Sequence, residues 1–145
     1  MDVITNVSQT LHSNIETKQI QLIHHFDDSV VVHADEEMLK TVIRNLIGNA
    51  IKFSKIGDVI HIDVEQTDSE HKILIKDQGN GIKKQFLDHI FDIESNGNRS
   101  ENSHGNGHGL GLILCKEIIE KHGGTIGVES EEGVGSTFYF TLPKT

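Results

Sequence analysis

The longest regular pattern of apolar positions runs through residues 35–54, DEEMLKTVIRNLIGNAIKFS. Leu39, Val42, Leu46 and Phe53 recur at helical spacing, with Ile43, Ile47 and Ala50 beside them, which predicts one amphipathic helix. Asp35 is suited to cap it, and Glu36 and Glu37 fall in the first turn, where the helix dipole favours acids. Asn45, Asn49 and Lys52 follow the spacing i, i+4, i+7 and so form a single stripe. At roughly 100° per residue that stripe lies at the border of the apolar arc, next to Val42. Upstream, Val3, Val7, Leu11 and Ile15 recur every fourth residue and predict a shorter helix over 2–18. Residues 19–26 and 29–33 read as two short strands around the turn Asp27-Asp28. Alternation over 59–66 and again over 71–77, with the turn 67–70 between, predicts a hairpin. A short helix is expected over 83–90 and an apolar one over 109–122, stopped by Gly123-Gly124. Two strands, 125–130 and 136–142, close the chain around the turn 131–135.

Between 91 and 107 periodicity is lost. DIESNGNRSENSHGNG is polar, rich in Asn, Ser and Gly, and long for a connection in a compact domain, which points to a functional or mobile segment. The 145 residues suffice for one domain with a proper core. Thirteen basic against 22 acidic residues give a net charge of −9, with the ten histidines neutral. That balance argues against nucleic acid and anionic membrane as partners. An anionic ligand would have to be held by local groups, backbone amides and a metal. Cys115, the single cysteine, lies in an apolar helical run and reads as a buried small hydrophobe rather than part of a disulfide or CxxC pair. No signal peptide and no bilayer-length apolar run is seen, so a cytoplasmic chain is expected. The helix at the very start reads as the end of something longer.

Candidate chemistry gathers in four places. The carboxamides of Asn45 and Asn49 offer oxygens that a hard cation accepts, and Lys52 is a point charge for phosphate; a solvated polar face would show the same residues. Asp77-Gln78-Gly79-Asn80-Gly81 ends a strand with a carboxylate able to accept from an exocyclic amine, and its glycines let backbone approach a flat ligand. A plain strand-end turn fits that stretch equally. The run Gly105-Asn106-Gly107-His108-Gly109-Leu110-Gly111 leads straight into a helix, as phosphate sites do, although a flexible linker has the same composition. It is neither GxGxxG after a strand nor a Walker loop. Gly133-Val134-Gly135-Ser136-Thr137-Phe138 reads by itself as a hairpin turn.

In their order along the chain, NLIGNAIKFS (45–54), DQGNGI (77–82), HIF (89–91), GHGLGL (107–112) and GVGSTFYFTLP (133–143) resemble the boxes of a sensor histidine kinase catalytic domain. That domain belongs to the superfamily shared with gyrase, the Hsp90 chaperones and MutL. The resemblance covers about residues 20–143 and implies a Bergerat-type ATP-binding fold. This is a two-layer α/β sandwich of three main helices on a mixed, largely antiparallel sheet. It divides the chain into an upstream linker helix end, 1–19, and an ATP-binding catalytic domain, 20–145. By the same resemblance Asn49 is the magnesium ligand, Asn45 its neighbour in the catalytic box, Lys52 the residue that reaches the phosphates, and Phe53 an aromatic beside the nucleotide. Asp77 is the acid that bonds the adenine amino group, with Gly79, Gly81 and Ile82 on that wall. Gly107, His108, Gly109, Leu110 and Gly111 form the phosphate-side box, Thr137 lies near the adenine end, and residues 92–106 are the mobile lid.

Where gyrase-like members carry a water-activating Glu, this chain has Asn45, so ATP is expected to be held for transfer rather than hydrolysed rapidly. Ile93 replaces an aromatic usual a few residues after Phe91. His104 and His108 are spaced as a metal pair could be, but exposed lid histidines are the plainer reading. None of the ten histidines has the phosphoacceptor setting of the family. The expected partners are therefore a separate dimerisation and histidine-phosphoacceptor domain of the same protein and a response regulator, with ATP and Mg2+ as cofactors. The fragment itself is expected to be monomeric, and its parent a homodimer and a possible inner-membrane sensor. A serine kinase of the anti-sigma-factor type and a nucleotide-binding regulatory module are the rival readings. Asn45 and the sequence KFS favour the histidine kinase over the first, and Asn49, Lys52 and Asp77 argue against the second.

Overall fold

The computed structural model describes residues 2–26, 32, 34–79, 81 and 108–144, the side chains of 2 and 108–110 excepted. In chain order the elements are α1 (Asp2–Thr10), α2 (His12–Lys18), β1 (Gln21–His24), α3 (Glu36–Phe53), β2 (Val59–Gln66), β3 (Glu70–Asp77), α4 (His108–Lys121), β4 (Ile126–Glu131) and β5 (Gly135–Pro143). The strands form a single sheet in the order β1-β2-β3-β5-β4. β1 pairs parallel with β2, because α3 lies between them in sequence and carries the chain back to the same end of the sheet. Every other pairing is antiparallel.

α3 starts where the sequence predicts. The Asp35 carboxylate accepts the Met38 N–H at 2.9 Å and so satisfies one of the four amides that a helix start leaves unpaired. Its apolar arc, Val42, Ile43, Leu46, Ile47 and Ala50, is completely buried. It meets Ile60 and Ile62 of β2, Ile73 and Ile75 of β3, Phe138, Phe140 and Leu142 of β5, and Cys115 and Ile119 of α4 in one core. Burying each of the large aliphatic side chains contributes about 1.5–3 kcal/mol, so this interface dominates the stability of the fold. Alternate residues of the same strands point to the opposite face, away from the described helices. There the Lys72 ammonium sits 4.4 Å from the centre of the Tyr139 ring, and Lys76 pairs with Asp63 at 3.0 Å.

The two-layer sandwich and the mixed, largely antiparallel sheet are as expected, with four described helices rather than three. The helix predicted over 2–18 divides at Leu11, although the Leu11 N–H still reaches the Val7 carbonyl and the Ile15 N–H the Leu11 carbonyl, both at 3.0 Å. Val3, Ile4 and Val7 of α1 enter the common core. α4 ends at a glycine turn: Gly123 has φ +82°, and the Gly124 N–H returns to the Ile119 carbonyl at 3.0 Å. His122 then ties α4 to α3, its Nδ1 bonding the Ile118 carbonyl at 2.8 Å and its Nε2 accepting the Asp35 N–H at 3.1 Å. Of the strand expected over 29–33 only residue 32 is described, and it is not in a strand. The helix expected over 83–90 and the lid 92–106 lie outside the described residues. No described helix is long and apolar enough to cross a membrane.

Candidate nucleotide-binding site

β3 delivers Asp77 to the helix-covered face at its last residue, where the carboxylate is 6% exposed. Oδ1 accepts the Gly79 N–H at 2.9 Å. Oδ2 is buried and has no hydrogen-bond partner among the described residues. Burial pushes this carboxyl above its usual range, against the backbone amides of Gly79 and Ser136, which favour the charged form. A buried oxygen without a donor is costly, and a ligand N–H placed there would remove that cost.

On α3, Asn49 is buried at 3% exposure, while Asn45 and Lys52 are half-buried. The Asn45 Nδ2 donates to the Thr41 carbonyl at 2.8 Å, which leaves its oxygen directed elsewhere. The Lys52 ammonium lies 5.5 Å from the centre of the Phe53 ring. Two glycines bring this stripe together with its surroundings. Gly79 packs against the Phe53 carbonyl so closely that no Cβ fits between them, which joins the end of β3 to the end of α3. Gly111 of α4 lies against the Asn45 side chain, where a Cβ would stand 2.5 Å from Oδ1. Gly81, at φ +73°, is pressed against the Glu131 backbone and brings the β4–β5 turn to the same wall.

Asn45, Asn49, Lys52, Phe53, Asp77, Gly79, Gly81 and Gly111 are thus linked through α3, the end of β3 and α4. Thr137 is not on the same face as Asp77. It pairs in register with Lys76, and with Tyr139 it occupies the face away from the described helices, whereas Phe138 and Phe140 are in the core; at the strand end it still lines one cavity with Asp77 and Ser136. The register partner of Asp77 is Ser136, 3% exposed, whose hydroxyl meets that of Ser130 at 2.9 Å. Strand alternation counted back from Phe138 would have selected Ser136. His108, Gly109 and Leu110 form the start of α4; Ile82 and Gly107 lie outside the described residues, as does His104. Among the described residues no group of three or more His, Cys, Asp or Glu side chains could hold a metal ion. The site thus has a buried acceptor oxygen for an amine at one end and a carboxamide and ammonium stripe for a polyanion at the other. A single carboxamide oxygen fits a magnesium ion that keeps waters and phosphate oxygens as its other ligands.

Residues 34–145 match the histidine kinase-, DNA gyrase B- and HSP90-like ATPase family, and the chain belongs to that family. It is similar to sensor protein SrrB of Staphylococcus aureus, with 43% identity over 110 residues, covering 76% of this chain and 19% of SrrB. The chain therefore spans about a fifth of the length of that relative. The fold matches the nucleotide-free catalytic domain of histidine kinase ThkA with a TM-score of 0.84 at 29% identity, over 99% of this chain and 91% of that one. ThkA in complex with the response regulator protein TrrA matches with a TM-score of 0.77 at 27% identity, over 99% and 40%. The five boxes read from the sequence thus identified the family correctly.

Proposed function

We propose that this chain binds ATP with magnesium and donates the γ-phosphoryl group to a histidine on a separate dimerisation and phosphoacceptor domain, in two-component signalling. The observation that carries the reading is the buried Asp77 Oδ2, without a partner among the described residues and joined through Gly79 and Phe53 to the stripe of Asn45, Asn49 and Lys52. Asp77 accepts the adenine amino group, a charge-assisted bond that guanine cannot supply at that position. Lys52 donates to the phosphates, and Asn49 offers its carboxamide oxygen to magnesium. Magnesium, when bound, offsets the charge of the phosphate oxygens during phosphoryl transfer. Asn45 contributes an amide where a carboxylate would activate water, so the domain retains ATP for an incoming imidazole. Phe53 supplies an apolar edge beside the base, and Ser136 flanks Asp77.

Residues 20–145 carry this chemistry, and residues 1–19, packed onto the same core, lead into it from the upstream part of the protein. The acceptor histidine then passes the phosphoryl group to a response regulator, which the solved complex of ThkA with TrrA supports by analogy. The fragment is a monomer in this reading; the parent is a homodimer and a membrane sensor whose kinase region faces the cytoplasm.

Transfer of labelled γ-phosphate from ATP to an added phosphoacceptor fragment tests the proposal. Acid-labile, base-stable label on histidine is the expected result. Label on serine points to an anti-sigma-type kinase, and binding without transfer to a regulatory module; either result overturns it.

A further inference from the structure

The last turn of α3 is held by a side chain outside every box described above. Lys18, the final residue of α2, donates from Nζ to the carbonyls of Ile51 at 2.8 Å, Lys52 at 2.9 Å and Ser54 at 2.7 Å. An ammonium has three donors, and all three are engaged. They meet the C-terminal end of α3, the negative end of its dipole: Lys52 is in the last turn, the Ile51 carbonyl also accepts the Ser54 N–H at 3.2 Å, and Ser54 is the C-cap. The grip is two-sided. Gln19 takes φ +54° and ends α2 there, while the Lys18 carbonyl accepts the Gly57 N–H at 2.8 Å. Residues 51–57 are thereby bracketed between one side chain and one carbonyl of the same lysine.

That turn carries both ends of the proposed nucleotide site. Lys52 belongs to it, and so does the Phe53 carbonyl on which Gly79 rests; the Gly79 amide in turn holds Asp77 Oδ1. In a chain of net charge −9, the negative end of a helix dipole beside a triphosphate would add to the repulsion. A cation placed there removes that contribution without occupying the ligand's position. We propose that Lys18 is a positioning residue for the nucleotide site, fixing the last turn of α3 so that Lys52 is aligned on the phosphates. The proposal rests on the ATP reading above.

A double-substitution cycle in the intact domain tests it. ATP-magnesium affinity is measured by calorimetry for the parent, Lys18→Met, Lys52→Ala and the double variant, after thermal unfolding shows each to be folded. Lys18→Met should weaken ATP about tenfold in the parent background but less than about twofold when Lys52 is already absent, since directly coupled residues are strongly non-additive. Lys18→Arg, which keeps the charge on a planar head, should recover part of the loss. Unchanged affinity in folded Lys18→Met, or the same loss with and without Lys52, overturns the proposal and leaves Lys18 a simple helix cap. Lys18→Gln, which retains two donors, carries the same comparison if Lys18→Met does not fold. Amide exchange without nucleotide separates this idea from the ATP reading. Should the parent not bind ATP, that reading fails alone. Faster exchange at Ser54, Gly57 and Gly79 in the Lys18 variant then supports the positioning role, and unchanged exchange at all three refutes it.

Discussion

Gly111 of α4 leaves room for the side chain of Asn45 on α3: a Cβ at position 111 would stand 2.5 Å from Asn45 Oδ1 and 3.1 Å from its Cγ. A glycine inside a helix costs about 1 kcal/mol relative to alanine, so the contact gives this one a physical reason. It also links the glycine-rich start of α4 to the polar stripe of α3.

Gly111→Ala should therefore displace the Asn45 carboxamide while helix propensity offsets the strain. Unfolding stability should change by less than about 1 kcal/mol. Phosphoryl transfer should fall roughly tenfold, as expected when a positioned group is moved by about an ångström. Denaturant titration alongside a transfer assay checks both; full transfer activity in the variant would show that Asn45 has no role in the reaction.

Asp77→Asn separates stability from binding. The folded state raises this carboxyl above its ordinary value of 3.8, chiefly by burial. Over the window from about 3.8 up to the raised value, the folded state holds a proton that the unfolded chain has already lost. The folded form binds more protons there, so this group's contribution to stability declines as pH rises through the window. The substitution should flatten that slope and alter stability near neutral pH by only about 1 kcal/mol. ATP affinity should nevertheless drop by at least about tenfold, because a charge-assisted bond is replaced by a mismatched amide. Denaturation curves across pH and calorimetry at neutral pH provide the two readouts.

Much of this arrangement is written in residue patterns. The capped, amphipathic α3, the hairpin of β2 and β3 and the glycine stop after α4 all follow from local periodicity and turn chemistry, which do not depend on distant partners. The parallel pairing of β1 with β2 does depend on them, and four exposed or half-buried residues, Gln21–His24, carry no alternation that would reveal it. In the candidate site, Asn49 and Asp77 were singled out because their boxes are specific, and both are buried. Thr137 was chosen from its box; the register sets Ser136 directly beside Asp77, and all three residues line one cavity at the end of β3. Lys18 left no local signal, since its three acceptors lie 33 to 36 residues away.

Asn49→Ala should alter magnesium dependence more than stability. The residue is buried but belongs to the polar stripe beside the apolar arc, so the substitution should cost about 1–2 kcal/mol of stability. Affinity for a non-hydrolysable ATP analogue should respond to magnesium in the parent and lose most of that response in the variant. Titrating the analogue with and without magnesium measures this, and an equal response in both proteins would remove Asn49 from the metal site.

Cys115 should be chemically silent in the folded domain. It is completely buried, and burial pushes its thiol up to about 12. The thiolate that reacts with alkylating agents is therefore scarce at pH 8 and shielded as well. Alkylation at pH 8 should track global unfolding, accelerating only in denaturant. By the same shift, its contribution to stability is intact below pH 9 and declines from there toward pH 12, as the unfolded chain loses its proton first. Rapid modification of the native domain would contradict the packing of α4 on α3.

The central claim is that the orphaned oxygen of Asp77 selects adenine. Calorimetric titration of the parent domain with ATP and with inosine triphosphate, both with magnesium, compares two ligands with the same triphosphate. Inosine carries a carbonyl oxygen where adenine carries its amino group, so it places an acceptor against an acceptor. The account predicts that ATP binds at least about tenfold more tightly, the magnitude expected when a charge-assisted hydrogen bond is replaced by an unpaired buried oxygen. Equal affinity for the two nucleotides would contradict it.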